Sequence, residues 1–94
     1  MKQYTTPEQT AKQIELGFAE PKGLAEAEPS SGKWVRPAYS IGELIELLGG
    51  VSELEITRFG SGWGAYDDLR AFSSEELIDA LYDMCVKLKA EGVI

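Results

Sequence analysis

The fold of this chain is decided by residues 51–66, which read VSELEITRFGSGWGAY. Leu54 and Ile56 alternate with acidic and hydroxyl residues, which is the period-two pattern of a strand with one buried face. The glycine-rich stretch 60–62 supplies a tight turn, and residues 63–66 return along a second strand. We therefore predict a β-hairpin over about residues 52–66.

Neighbouring side chains of a strand point to opposite faces, so this hairpin cannot bury all its aromatic rings in a one-sided core. At least one ring is expected on the face away from Leu54 and Ile56. An aromatic patch on an uncovered face is typical of a surface for a partner or a second copy; the alternative is that all rings share the core. The candidate partner-binding residues are three aromatic residues and the two acids that frame them: Phe59, Trp63, Tyr66, Glu53 and Glu55.

The first two helices each open with a capping box, in which a hydroxyl residue and a Glu or Gln three positions later satisfy each other's backbone N–H groups. The boxes pair Thr6 with Gln9 and Ser40 with Glu43. Glycines follow both apolar stripes and are suited to ending a helix. These signals predict helices over about residues 7–16 and 41–48.

The third helix is predicted over about residues 74–91, with Ser73 as its N-cap and Glu76 as the box partner. Acidic residues crowd its first turns and lysines its last, which suits the helix dipole. Its apolar stripe comprises Leu77, Ile78, Leu81, Met84, Cys85 and Leu88.

The remaining segments complete the plan of the domain. Residues 19–32 hold two prolines, two glycines and one large apolar side chain, so we expect a flexible loop there. Residues 33–36 are predicted as a short edge strand, and residues 69–72 as a third short strand after the hairpin. The result is a single domain, 1–94, of the α+β class, with a small antiparallel sheet of two to four strands packed with three helices.

Charge is distributed unevenly along the 94 residues. The net charge is −7, and residues 37–94 carry all of it, with four basic and eleven acidic side chains. Phosphate backbones and anionic membrane surfaces are repelled by such a field, whereas a basic protein partner is compatible with it. We therefore expect the partner to be another protein or a second copy of this chain. Nucleic acid is disfavoured as a partner, and no membrane contact is expected.

Composition argues against an enzyme. The chain has no histidine, which removes the usual general base and imidazole metal ligands. Its one cysteine, Cys85, lies on an apolar stripe and is expected to be a packing residue. The acidic pairs lack the spacing of a calcium loop, and the 60–64 glycines lack the Lys-Ser/Thr of a phosphate-binding loop. We predict no catalytic, metal or cofactor site, and expect a cytoplasmic protein, since no signal segment is visible.

Residues 39–52 read YSIGELIELLGGVS, and they resemble the opening of the mercury-resistance-regulator family of winged helix-turn-helix proteins. That resemblance implies a helix leading into a DNA-recognition helix. The following residues, Glu53 to Thr57, are strand-like here and carry two acids that would face phosphate.

A broader resemblance is to small proteins of bacterial prophages and mobile elements, through segments 4–18, 39–48 and 76–89. It implies a cellular context but no reaction, cofactor or catalytic residue. The prediction from the sequence is a non-enzymatic accessory protein that acts through protein contacts. The alternative is a DNA-related role, either by helix-turn-helix-like binding or by acidic mimicry of DNA.

Overall fold

A computed structural model describes residues 2–26, 35–51 and 53–94 of the chain. The described residues form three helices and two small antiparallel sheets, so the predicted α+β class is confirmed. Each helix in this part of the chain is too short or too polar to cross a membrane. In chain order, the elements are α1 (Pro7–Glu15), β1 (Leu24–Glu26), β2 (Val35–Pro37), α2 (Ile41–Leu47), β3 (Glu55–Phe59), β4 (Gly62–Tyr66), β5 (Ala71–Ser74) and α3 (Leu77–Ala90).

The larger sheet has the strand order β3-β4-β5 and contains the predicted hairpin. The β3–β4 turn passes through Gly60, whose φ of 53° lies in the left-handed region that glycine adopts without steric cost. Ile56 lies opposite Ala65, which in turn lies opposite Phe72 on β5. These three side chains share the face that meets the core, since directly paired residues point to the same side of a sheet.

The core lies between this face and α3, which packs across β4 and β5. The buried residues of α3 are Leu77, Ile78, Ala80, Leu81, Met84, Cys85 and Leu88. The Cα atoms extend 17 Å along the shortest axis of the molecule, which accommodates one helix layer on one sheet layer. The second face of the sheet therefore lies at the surface.

Both predicted capping boxes form at the starts of α1 and α2. The Thr6 hydroxyl accepts from the backbone N–H of Gln9 at 3.1 Å, and the Ser40 hydroxyl accepts from that of Glu43 at 3.1 Å. In each box the side chain of the third helical residue accepts from the N-cap backbone in return. Local sequence is sufficient for these starts because all their partners lie within one turn.

The start predicted for the third helix is wrong. Ser73 and Ser74 belong to β5, where they pair with Gly64 and Trp63, and α3 begins at Leu77. Glu76 is the N-cap residue, and its side chain makes no capping hydrogen bond to the helix. Ladder pairing with β4 holds the two serines in extended backbone, so the hydroxyl of Ser73 is unavailable as a cap.

The loop prediction for 19–32 is wrong at residues 24–26, which form β1 and pair with β2. Backbone N–H groups of Lys22 and Gly23 donate to the Glu43 carboxylate at 2.8 and 2.9 Å, and Ala38 N–H donates to the Gly23 carbonyl. These contacts hold the segment against the start of α2. Residues 27–32 lie outside the described residues, as do residues 33–34 of the predicted edge strand, which is observed over Val35–Pro37.

The third strand lies two residues later than predicted, over Ala71–Ser74 rather than 69–72. Residues 67–70 form a turn instead, in which the Asp67 carboxylate accepts from the N–H groups of Leu69 and Arg70 at 2.8 and 2.7 Å. Leu69 is 79% exposed at the tip of this turn. The strand therefore starts later than predicted because the Asp67 carboxylate holds two backbone N–H groups in the turn.

Candidate functional site

One face of the β3-β4-β5 sheet is open to solvent. Its residues follow from the strand register, in which Thr57, Gly64 and Ser73 lie side by side, as do Glu55, Tyr66 and Ala71. Most of these side chains are exposed. We call this surface the open face, and its members are Glu55, Thr57, Phe59, Gly64, Tyr66, Ala71 and Ser73.

Two aromatic rings lie on the open face around a glycine. A Cβ atom placed on Gly64 would be 2.9 Å from Cε1 of Phe59 and 3.5 Å from Cε1 of Tyr66. The rings therefore lie across the strand at a place where only glycine leaves room for them. Phe59 remains 51% exposed in this position.

The hydroxyl of Thr57 fixes the direction of the tyrosine. Thr57 Oγ1 and Tyr66 Oη share a hydrogen bond of 2.6 Å across β3 and β4. Thr57 lies diagonally from Tyr66, since its direct partner is Gly64. Sequence reasoning missed Thr57, although a diagonal cross-strand contact within reach of a tyrosine could have suggested it.

The structure divides the predicted aromatic trio between the two faces. Phe59 and Tyr66 lie on the open face, whereas Trp63 lies on the covered face and packs against the core. The guanidinium carbon of Arg58 lies 5.5 Å from the centre of the Trp63 ring. Trp63 therefore does not contribute to the open face.

The two framing acids are also separated. Glu55 lies on β3 directly opposite Tyr66, so its exposed side chain belongs to the open face. Glu53 precedes the strand, and its φ of 61° places it in the left-handed region that non-glycine residues rarely adopt. The alternation of β3 begins at Glu55, so the strand register does not place Glu53 on the open face.

Cys85 is fully buried in α3, as expected of a packing residue. Burial away from water raises the pKa of its thiol to about 12. The thiolate is the reactive form of cysteine, so this side chain is held in its inert form at neutral pH.

The acidic side chain of Asp79 on α3 takes part in structural contacts. Asp79 pairs with Lys2 at 3.0 Å and accepts from the Gln9 amide at 2.8 Å. Burial, and then the charge of Asp79, raise the pKa of Asp83. Within residues 2–26, 35–51 and 53–94, no three acidic or thiol side chains are grouped as metal ligands.

Two clefts on the described surface are shallow. One of about 320 Å³ is lined by Arg58, Ser61, Trp63, Glu75 and Glu76, at the edge of the covered face. Another of about 310 Å³ runs beside the 67–70 turn. Neither brings together the convergent polar groups and enclosed apolar walls that a small-molecule site requires.

The chain after α2 departs from the helix-turn-helix pattern. A turn follows Leu47, and the next element is the strand β3 from Glu55. The segment that would correspond to a recognition helix is therefore the strand that carries the open face.

Comparison with known proteins gives a partial likeness. No protein-family model and no solved structure matches the chain. The chain is similar to the exodeoxyribonuclease 7 large subunit of Syntrophomonas wolfei, with 44% identity over 52 residues. The match takes in 52% of this chain and 13% of that protein, so the chain spans a small fraction of that protein's length.

Proposed function

We propose that this chain binds another protein through the open face and catalyses no reaction of its own. The observation that carries the proposal is the placement of Phe59, 51% exposed, beside Tyr66 on a solvent-facing sheet surface. Aromatic side chains bury large areas at a low entropic cost, and they are enriched at the centres of protein interfaces. The contact with Gly64 presents the ring in a defined place before any partner arrives.

Two further properties support a binding role without catalysis. The chain contains no histidine, and its one thiol has a pKa near 12 in the core. The acidic half of the chain favours a partner of opposite charge. We place this role in the cytoplasm, as an accessory factor of a prophage or mobile element, on the strength of the single cysteine and the likeness of three helical segments to such proteins.

Site-specific photo-crosslinking in a bacterial host tests this proposal. A photoreactive phenylalanine analogue replaces Phe59 in one variant and Lys12, which is exposed on α1, in a control. We expect a discrete adduct from position 59 that is destroyed by protease and resists nuclease. The control at position 12 should give no such adduct.

The nature of the adduct decides the partner class. An adduct of the mass of two chains identifies self-association through the open face, which is one form of the proposal. Loss of the adduct on nuclease treatment would contradict a protein partner. Equal labelling at positions 12 and 59 would show that the open face has no special role.

A DNA-related role is a second candidate, favoured by the partial likeness to an exodeoxyribonuclease subunit. Acidic mimicry of DNA suits the charge of residues 37–94, and competition with duplex DNA for a DNA-binding protein is its test. Direct binding predicts a gel shift of duplex or single-stranded DNA at low salt. The absence of both effects would remove this candidate.

A further inference from the structure

The open face combines aromatic rings with one acidic group in a fixed geometry. Phe59 and Tyr66 lie beside Gly64, and the 2.6 Å hydrogen bond to Thr57 holds the tyrosine ring in place. Glu55 lies directly across from Tyr66, and Cβ atoms of such pairs are about 4.5–5.5 Å apart. A bound group can therefore touch a ring and a carboxylate together.

Among the described residues of the open face, Glu55 is the charged one. The surrounding acidic half of the chain adds to its negative field. A nucleic-acid strand could stack its bases on the rings, but its phosphates would meet this field. A cationic group gains from both the field and the rings.

The guanidinium of arginine fits this arrangement better than the ammonium of lysine. A guanidinium is planar, so it stacks on an aromatic face, and its fork of N–H groups can pair with both oxygens of a carboxylate. An ammonium is a strongly hydrated point charge that gains less from a ring.

We infer that the open face binds an arginine side chain of a protein partner. The guanidinium lies against Phe59 and Tyr66 and pairs with the carboxylate of Glu55. This inference rests on the proposed function and names the chemistry that the partner must present.

Two peptides of equal charge test it, hexa-arginine and hexa-lysine, each titrated into the ¹⁵N-labelled full chain. Attraction by the net charge of −7 acts on both peptides, so a difference between their affinities reports the contacts of the guanidinium group, which the amide shifts and the variants then locate. We expect hexa-arginine to bind about threefold to fivefold more tightly, as an exposed cation–π contact allows. Its amide shifts should be confined to residues 55–59 and 62–66.

Three variants distinguish the effect of the arginine contact from the effect of the overall charge. Phe59→Ala is expected to bring the two affinities within about a factor of 2 of each other, because half or more of the cation–π preference is lost. Glu55→Gln should also reduce the preference for arginine, because it removes the carboxylate that the guanidinium pairs with. Glu15→Gln removes the same charge from an exposed position on α1. This control should weaken the binding of both peptides to the same extent, and the preference for hexa-arginine should remain.

The outcomes distinguish this inference from the function on which it rests. Equal affinities in the unmodified chain, shifts outside the sheet, or binding of oligothymidine at residues 55–66 would overturn the arginine contact. If a protein adduct at position 59 is still found, the protein-binding function stands without it. If that adduct is absent as well, both proposals fall.

Discussion

A single glycine sets the arrangement of the two rings on the open face. Gly64 lies in the middle of β4, and its φ is not in the left-handed region, so its backbone conformation does not itself require glycine. Its lack of a Cβ matters because Phe59 Cε1 occupies the space that such an atom would need, at 2.9 Å. The phenylalanine ring therefore covers the glycine, as aromatic residues often do for glycines in strands.

Substitution of Gly64 by alanine tests this contact, because its effect on the unfolding free energy should have opposite signs with and without the Phe59 ring. In the native chain, Gly64→Ala pushes the Phe59 ring aside, and we expect a loss of up to about 1 kcal/mol of unfolding free energy. In a Phe59→Ala background the space is free, and the same change should stabilise by about 0.4–1 kcal/mol, because alanine restricts the unfolded chain. Urea denaturation of the four proteins measures the coupling.

Equal effects of Gly64→Ala in the two backgrounds would contradict the contact. Ring resonances of Phe59 provide a second measurement, since they should move in the Gly64→Ala variant while those of Phe72 on the covered face do not.

The turn between β4 and β5 is the element that depends most on charge. Arg70 lies between two carboxylates, at 3.2 Å from Asp67 and 2.6 Å from Glu91 at the end of α3. Backbone hydrogen bonding from Leu69 is the largest of the effects that lower the pKa of Asp67. The side-chain hydrogen bond with Arg70 lowers the pKa of Glu91. The turn is thereby joined to the C-terminal end of the helix.

These shifts predict acid sensitivity of the turn. A carboxyl whose pKa is lowered by folding stabilises the native state above its unfolded pKa, near 4, and the effect is lost as pH falls through the folded value. Asp67→Ala should therefore lower the melting temperature at pH 7, with a difference from the unmodified chain that shrinks toward pH 2. Thermal unfolding followed by circular dichroism across this range is the measurement.

Asp68→Ala is the matched control, since Asp68 is the exposed neighbour in the same turn. It should leave the melting temperature nearly unchanged at both ends of the range. A pH-independent difference for Asp67→Ala would show that the carboxylate acts through shape rather than charge.

At the scale of the whole molecule, a buried threonine joins the N-terminal segment to two helices. Thr5 is fully buried, and its hydroxyl lies 2.7 Å from that of Thr10 on α1. The same hydroxyl accepts from the backbone N–H of Tyr39 at 3.1 Å, just before α2. Thr5 N–H in turn donates to the Tyr39 carbonyl at 3.0 Å. Thr5 therefore links the neighbouring helix α1 to the residue before the N-cap of α2, 34 positions further along the chain.

Removal of this hydroxyl should destabilise the whole domain. Thr5→Val keeps the shape of the side chain but leaves the Tyr39 N–H without its acceptor in the core. An unsatisfied buried donor costs about 1–3 kcal/mol, and we expect a loss of that size in urea denaturation. Thr5→Ser retains the hydroxyl and should lose clearly less. A larger loss in Thr5→Ser than in Thr5→Val would show that the methyl group, not the hydrogen bond, is the important part.

The hairpin, the first two helices and the presence of at least one aromatic ring on the face away from Leu54 and Ile56 could be predicted from the residues alone. Their signals are short-range: a capping box closes within one turn, and alternation assigns each strand residue to a face without reference to the rest of the chain. The open face was foreseen in this way. The contact of Phe59 with Gly64 and the hydrogen bond between Thr57 and Tyr66 were not identified, because each joins a residue of β3 to a residue of β4.

Other features depend on partners that are far away along the chain, and they emerged only when the elements were packed together. The serines before α3 carry a good capping signal, yet pairing with β4 draws them into a strand. Residues 24–26 look like loop, yet Glu43 and β2 hold them extended. In each case a local conformational preference of about 1 kcal/mol is overcome by several hydrogen bonds from a distant segment. The residues next to each segment in the sequence do not indicate that these hydrogen bonds will form.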